Sequence, residues 1–217
     1  MLKPKNIHTG TEQLICEIHE NFAVVTLNRP EQKNPLGDKI TPALREIISK
    51  LEIYTEVKSI IITGSGGAFC SGGNIKEMAL PPKEAFTTDQ EIKRLVKRQN
   101  ELTLRLFNLK KPTIAMVSGP AAGAGFCLAL ACDIRVASEN AFFTTGYRNV
   151  GLPGDYGGTW LLTKLIGPAL AKQFYFTSEK ISAQTALNLG IINHLTSVSD
   201  LEKITFGLAK NISCAPP

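Results

Sequence analysis

The pattern of apolar and polar positions predicts strands that alternate with helices along the chain. Two apolar runs at 14–18 and 23–27, separated by HENF, predict a β-hairpin, because the first alternates with the period of a strand. KSIIITG and PTIAMVSG are short continuous apolar runs, which predict buried strands. DIRVAS, AFFTT and IINHL predict three more short strands. This order indicates the α/β fold class.

Between these strands, apolar residues recur at helical spacing. One helix is predicted from Asp38 to about Tyr54, with Asp38 as its N-cap, and a long basic helix ends at about Leu109. GPAAGAGFCLALA changes from a glycine-rich loop into a compact apolar helix. Further helices are predicted at about 159–166, 168–177, 182–189 and 200–212. Since no linker, repeat or low-complexity segment divides the chain, we expect a single domain over residues 1–217.

The composition narrows the class of protein. A chain of 217 residues that is 43% hydrophobic can bury one sizeable core. No stretch approaches the roughly 20 apolar residues of a membrane span, and MLKPKNIHTG lacks the apolar segment of a secretory signal, so we expect a soluble, cytoplasmic protein. The three histidines have no ligand-type neighbours, and we expect no metal site. The cysteines are expected to be buried free thiols: Cys16, Cys70, Cys127, Cys132 and Cys214.

The net charge of +5 arises partly from EIKRLVKRQNELTLRLFNLKK, a helix-like basic stretch over residues 91–111. A solvated helix face is the first interpretation of this run, and attraction of an anionic ligand is the alternative. Without interleaved aromatic residues or a nucleic-acid motif, we expect no nucleic-acid partner.

Two glycine-rich turns each follow a predicted buried strand, which raises the possibility of nucleotide binding. The first, AFCSGGN, lacks the Lys-Ser/Thr ending of a phosphate-binding loop. In the second, GAGFCL has Gly123 and Gly125 but places Leu128 where a dinucleotide fingerprint has Gly or Ala. Each turn by itself could also be a tight connection between a strand and a helix.

Taken together with a third loop, these turns resemble the crotonase (enoyl-CoA hydratase/isomerase) superfamily. The resemblance implies a ββα spiral with two roughly perpendicular sheets over about residues 12–195, and assembly as a trimer or a pair of trimers. Relatives continue beyond the APP region with a helical segment, so the C-terminal helical region, about 196–217, is expected to be shortened. The resemblance is carried by RPEQKNPL, ITGSGGAFCSGGNIKEM, GPAAGAGFCLALACDIRVAS, GLPGDYGGTWLLTKLIG and TSEKISAQTALNLGIINHL.

The resemblance implies that the turns bind the thioester of an acyl-CoA substrate. By motif position, the N–H groups of Ser71 and Ala124 would bind the thioester oxygen, where fixed donors stabilise the charge of an enolate. Coenzyme A would enter as part of the substrate, and no separate cofactor is expected. Asn74 stands where relatives commonly carry Asp, which is expected to affect loop structure more than chemistry. The implied substrate-binding residues are Lys33, Pro35, Leu36, Ser71, Gly72, Gly73, Asn74, Ile75, Gly123 and Ala124.

The acid/base groups differ from those of typical hydratases in the family. Such hydratases use two glutamates, and their positions correspond here to Cys127 and Tyr147. Asp155, in GLPGDYGG, stands where several isomerases and dehalogenases of the superfamily keep a catalytic aspartate. A carboxylate over an apolar pocket can have a raised pKa that suits proton transfer. The alternative is that Asp155 is only a turn residue or helix cap. Asp133 is expected to be structural.

These residues favour isomerisation of an enoyl-CoA double bond slightly over hydration. A single carboxylate can remove a proton from one carbon and return it to another, whereas hydration also requires an activated water. Tyr147, Tyr156 and Cys127 could assist Asp155, so hydration stays open. The alternative to an enzyme is a catalytically idle member of the family that binds CoA esters or partner proteins.

Overall fold

The structure, a computed structural model, describes residues 3–79 and 86–214. Its strands are β1 (Lys5–Ile7), β2 (Leu14–His19), β3 (Phe22–Leu27), β4 (Ser59–Gly64), β5 (Thr113–Val117), β6 (Ala121–Ala122), β7 (Ile134–Ser138), β8 (Phe142–Thr144), β9 (Ile181–Ser182) and β10 (His194–Thr196). They form a seven-stranded sheet in the order β1-β2-β3-β4-β5-β7-β10 and a three-stranded sheet in the order β6-β8-β9. The predicted α/β fold class is therefore confirmed.

The helices lie between these strands in the chain. They are α1 (Ile40–Ile53), α2 (Ile75–Met78), α3 (Thr88–Gln99), α4 (Arg105–Phe107), α5 (Ala124–Leu130), α6 (Gly158–Thr177), α7 (Ala183–Asn188) and α8 (Leu201–Ser213). A π-helical segment, Asn100–Leu104, joins α3 to α4. Within α6, Gly167 has φ of 77° and is followed by Pro168, so the helix is interrupted between the two segments that the sequence predicts.

The large sheet explains why some strands alternate and others are continuously apolar. β2 and β3 pair antiparallel as the predicted hairpin, and β3, β4, β5, β7 and β10 then run parallel to their neighbours. Ile60 and Ile62 of β4 face the main core, whereas Ile61 packs in a second cluster that contains Leu201 and Ala209 of α8. Because both faces are covered, the strand has no solvent-facing positions.

Three predictions from the sequence are corrected by the structure. The first helix begins at Ile40 with Lys39 at its N-cap, and Asp38 does not cap it; instead, the Asp38 N–H donates to Glu77 Oε2 at 2.8 Å. The long basic helix is divided by the π-helical segment. Four cysteines are buried as expected, but Cys214 is exposed because it follows the last turn of α8.

Within residues 3–79 and 86–214, no helix is both long enough and apolar enough to cross a membrane.

Candidate active site

The two glycine-rich turns adjoin each other in the structure. The Ala122 N–H donates to the Cys70 carbonyl at 2.9 Å, and the Cys70 N–H donates to the Pro120 carbonyl at 3.1 Å. A Cβ at Gly72 would lie 2.8 Å from the Ala122 carbonyl oxygen, and one at Gly125 would overlap the Cys70 carbonyl oxygen. These two positions therefore need glycine for the turns to approach this closely.

The two amides predicted to bind the thioester oxygen have different surroundings. Ala124 is the first residue of α5, so its N–H has no acceptor within the helix, and no other acceptor is found for it in the part of the chain that the structure describes. It lies 3.6 Å from the position of a Cβ at Gly72. The Ser71 N–H donates to the Lys33 carbonyl oxygen at 2.8 Å. The structure therefore corrects the prediction for Ser71, because its N–H is already occupied by a backbone carbonyl and is not a free donor.

The 33–36 segment packs along the first turn. The Leu36 N–H donates to the Gly72 carbonyl at 2.7 Å, and the Asn74 N–H donates to the Leu36 carbonyl at 3.0 Å. Pro35 and Leu36 are buried, whereas the side chain of Lys33 is exposed. The structure therefore brings together the residues implied to follow coenzyme A and the turn that carries Ser71.

Asn74 is the N-cap of α2, between Gly73 and the exposed Ile75. Its Oδ1 accepts the Glu77 N–H at 3.4 Å, and its Nδ2 donates to Glu77 Oε1 at 2.6 Å. The Asn74 side chain thus caps α2 and joins the cap to Glu77.

Asn34 also shapes this region, and the sequence analysis missed it. Its side chain is completely buried. Oδ1 accepts the Arg29 N–H at 2.8 Å, and Nδ2 donates to the carbonyls of Ser65 and Ala68, both at 2.9 Å. Its backbone has φ of 56°, a region in which Asn is tolerated better than most residues. Asn34 therefore fastens the 29–34 loop to the segment that leads into the first turn.

Replacing Asn34 by alanine is expected to lower the free energy of unfolding by about 2–4 kcal/mol, because three backbone groups, one buried and two part-buried, lose their partner on a fully buried side chain. Urea denaturation would measure this loss. Asn6→Ala is the matched control, since Asn6 is exposed on β1 and its replacement should change stability by less than about 0.5 kcal/mol. Equal losses in the two variants would contradict the role assigned to Asn34.

The candidate acid/base residues form one cluster. Tyr147 Oη donates to Asp155 Oδ1 at 2.6 Å, and it lies 3.2 Å from Cys127 Sγ. The Tyr147 ring stacks on that of Tyr175, with centroids 6.1 Å apart and an interplanar angle of 4°. Tyr175 was missed by the sequence analysis because its position within an apolar helix gives no sign of this contact. Tyr147 is buried and Asp155 is half-buried.

Burial decides the protonation of this cluster. It raises the pKa of the Asp155 carboxyl, and the Tyr147 hydrogen bond opposes that rise. Burial also raises the pKa of the Cys127 thiol to about 12, and it raises the pKa of the Tyr147 and Tyr175 hydroxyls. At neutral pH the thiol and the phenols are therefore neutral, and Asp155 is the member suited to exchange a proton.

The cluster lies beside the second glycine-rich turn. A Cβ at Gly123 would be 3.9 Å from Tyr147 Cε1 and 3.9 Å from the Gly72 Cα. A ligand held at these turns would therefore be close to the Tyr147 ring. Asp133 lies elsewhere: its Oδ2 accepts both the N–H and the hydroxyl of Thr113 at 2.7 Å, a structural role, as expected.

Several basic residues of the basic stretch 91–111 bind other groups of the protein. Arg94 forms a salt bridge with Glu91, and Arg105 forms one with Glu52; in each, the guanidinium nitrogen lies 2.6 Å from a carboxylate oxygen. Lys111 Nζ donates to the carbonyl oxygens of Leu51 and Tyr54, and so caps the end of α1. These contacts favour the interpretation of a solvated, structural face over an anion-binding one.

Two sheets and two adjoining glycine-rich turns beside a half-buried carboxylate define a crotonase-like protein, and the comparisons with known proteins agree. The sequence profile of the enoyl-CoA hydratase/isomerase family matches residues 17–217. The chain belongs to this family.

Among its relatives is a short-chain-enoyl-CoA hydratase of Clostridium acetobutylicum, 36% identical over 205 residues, which cover 94% of this chain and 76% of the relative. Another is the 1,2-epoxyphenylacetyl-CoA isomerase of Escherichia coli, 32% identical over 206 residues, covering 94% of this chain and 78% of the relative. A crystal structure of an enoyl-CoA hydratase from Bacillus anthracis superposes with a TM-score of 0.87 at 28% identity, covering 95% of this chain and 78% of that one.

Proposed function

We propose that the protein transfers a proton between carbon atoms of an enoyl-CoA thioester, with Asp155 as the acid/base. The observation that carries this proposal is the cluster around Asp155. By the resemblance, Cys127 and Tyr147 stand at the positions of the two hydratase glutamates, and in the structure Cys127 Sγ lies 3.2 Å from Tyr147 Oη. Asp155 is the carboxylate beside them, bound to Tyr147 at 2.6 Å.

In the proposed reaction, ionised Asp155 takes a proton from the carbon between the thioester and the double bond. The electron pair of that C–H bond enters the conjugated system, and negative charge collects on the thioester oxygen. The Ala124 N–H, which has no acceptor among the described residues, would stabilise this charge, whereas the Ser71 N–H is bound to the Lys33 carbonyl. Protonated Asp155 then returns the proton to the far end of the conjugated system, so that the double bond moves and Asp155 is regenerated.

Hydration is the second candidate. It needs one group to activate water and another to protonate carbon. Burial raises the pKa values of Cys127 and Tyr147, so neither is a base at neutral pH. This chemistry favours isomerisation, although relatives with names of both kinds occur.

Assays with 2-enoyl- and 3-enoyl-CoA thioesters of increasing chain length would test the proposal. Isomerisation leaves the substrate mass unchanged, whereas hydration adds one water, and mass spectrometry distinguishes them. We expect interconversion of the 2-enoyl and 3-enoyl esters without gain of mass. Binding of the esters without turnover of any of them would instead indicate a catalytically idle relative, and absence of binding would contradict an acyl-CoA site.

We also propose assembly as a trimer or a pair of trimers. Exposed apolar side chains on α4 and α6 support this assembly. The rings of Phe107 and Trp160 stack edge to face with their centroids 5.1 Å apart, and each side chain is at least 40% exposed, as in a surface that a partner covers. A solution mass equal to one chain would contradict this assembly.

A further inference from the structure

We propose that Tyr147 is a positioning residue that holds Oδ1 of Asp155 and leaves Oδ2 as the oxygen that transfers the proton. We further propose that Cys127 and Tyr175 hold Tyr147 in place. This inference rests on the proposed function, because it assigns the working atom of the proposed acid/base.

The direction of the hydrogen bonds follows from the groups involved. An ionised carboxylate can only accept, so the Tyr147 hydroxyl donates its proton to Asp155 Oδ1 across 2.6 Å. Its oxygen is then left as an acceptor for the Cys127 thiol at 3.2 Å. The thiol is within reach of two acceptors, the Tyr147 oxygen at 3.2 Å and the Asp155 carbonyl oxygen at 3.6 Å, and donation to the nearer one completes a chain from the thiol through the phenol to the carboxylate.

Packing fixes the Tyr147 ring. The side chain is only 6% exposed, and it lies nearly parallel to the Tyr175 ring. The glycines around Asp155 permit this arrangement: a Cβ at Gly154 would lie 3.0 Å from Tyr175 Cε1, and a Cβ at Gly158 would overlap Cys127 Sγ. The loop that carries Asp155 can therefore approach the cluster closely, which a larger residue at either position would hinder.

The two carboxylate oxygens of Asp155 differ in their partners. Oδ1 accepts the Tyr147 hydroxyl, whereas Oδ2 has no hydrogen-bond partner among residues 3–79 and 86–214. A proton taken up at Oδ2 leaves the bond between Tyr147 and Oδ1 in place. Oδ2 is therefore the oxygen available to substrate.

The same bond adjusts the acidity of Asp155. Burial raises its pKa, and donation from Tyr147 opposes the rise because it stabilises the ionised form. The other titratable groups that face this region are Cys127 on α5, Tyr175 on α6 and the neighbouring Tyr156. Burial raises the pKa of the Tyr156 hydroxyl, and the charges of Arg45 on α1 and Arg98 on α3 oppose that rise. A change confined to the Tyr147 hydroxyl leaves those groups in place.

Tyr147→Phe tests the proposal through the pH dependence of turnover. Without the hydroxyl, the pKa of Asp155 is expected to rise further. At a given mildly acidic pH, less Asp155 is then ionised, and the acid limb of the pH profile of kcat moves to higher pH. We expect kcat to fall about tenfold or more in mildly acidic buffer and by less in alkaline buffer, because the lost bond is one to a charged group. KM should stay close to that of the wild type.

Tyr54→Phe is the matched control. It also removes a phenol hydroxyl, but that hydroxyl accepts from Lys5 at 2.7 Å at the end of α1. Its pH profile should equal that of the wild type. Cys127→Ala should move the acid limb in the same direction as Tyr147→Phe, and Cys127→Ser should restore it, because serine can again donate to Tyr147. An equal loss of kcat at every pH, or an unmoved acid limb, would overturn the positioning role.

A direct measurement of the Asp155 pKa, which does not require turnover, distinguishes this inference from the proposed function. Carbon-13 NMR of the aspartate carboxyls, assigned with Asp155→Asn, would follow the titration of Asp155 in the free protein. A higher pKa in Tyr147→Phe than in the wild type supports the positioning role even if no tested ester is converted, and an equal pKa overturns it even if the enzyme is active. Melting temperatures of the variants would show that each is folded.

Discussion

Asp155→Asn is expected to lower turnover of enoyl-CoA esters by about two to four orders of magnitude, the usual scale of general acid–base catalysis. Asparagine has nearly the same size, and its Oδ1 can still accept the Tyr147 hydroxyl, but it cannot take up and return a proton. Binding of the acyl-CoA ester should therefore remain close to that of the wild type. Steady-state kinetics and calorimetric titration with the ester would measure the two effects separately.

Stability distinguishes this result from a folding defect. Because burial raises the pKa of Asp155, its folded pKa exceeds its unfolded pKa. Its contribution to stability is therefore fully present below the unfolded pKa and is lost as pH rises through the folded pKa. At alkaline pH, Asp155→Asn should melt no lower than the wild type, and any gain should shrink as the pH falls.

Asp133→Asn supplies the matched control. Asp133 accepts two hydrogen bonds from Thr113, so this change should lower the melting temperature while leaving kcat of the folded enzyme nearly unchanged. A stable Asp155→Asn protein with wild-type turnover would refute Asp155 as the acid/base.

The fold could be predicted where local pattern and burial agree. β4 and β5 are continuously buried because both faces of the sheet are covered there, and β2 alternates because its two faces differ in burial. The predicted start of α1, at Asp38, lies two residues before the observed start at Ile40. Asp38 has the residue type of an N-cap, but its N–H donates to Glu77, 39 residues away in the chain. Such a contact is set by tertiary packing, which the local sequence does not record.

In the candidate site, too, the positions of the motifs could be predicted from the sequence, whereas the contacts between distant residues could not. The resemblance placed both glycine-rich turns and Asp155 in one region, and the structure brings them together. The bond between Asn34 and Ala68, 34 residues apart, could not be predicted, because a loop asparagine is usually solvated. Nor could the bond from Ser71 to the Lys33 carbonyl, because it depends on a left-handed conformation at Lys33 that its residue type does not favour.

The second large effect is expected from Ala124→Pro, which removes the amide donor at the start of α5. Proline is tolerated at the first position of a helix, where the N–H makes no intrahelical bond, so α5 should still form. The loss of one donor to a developing oxyanion costs on the order of a hundredfold or more in rate. The proline ring would also occupy space near Gly72, since the Ala124 N atom lies 3.6 Å from the position of a Cβ there, and this should weaken binding of the ester. Rates and ester affinity would be measured together.

Two variants control for the side chain and for the proline. Ala124→Gly keeps the N–H and should retain most of the turnover, and Thr88→Pro places proline at the exposed first residue of α3 and should retain all of it. The free Ala124 N–H is a sharper test than the Ser71 N–H, because removing the latter would also break its bond to the Lys33 carbonyl. A folded Ala124→Pro protein with unchanged turnover would show that the oxyanion is stabilised elsewhere, even if Asp155 proves to be the acid/base.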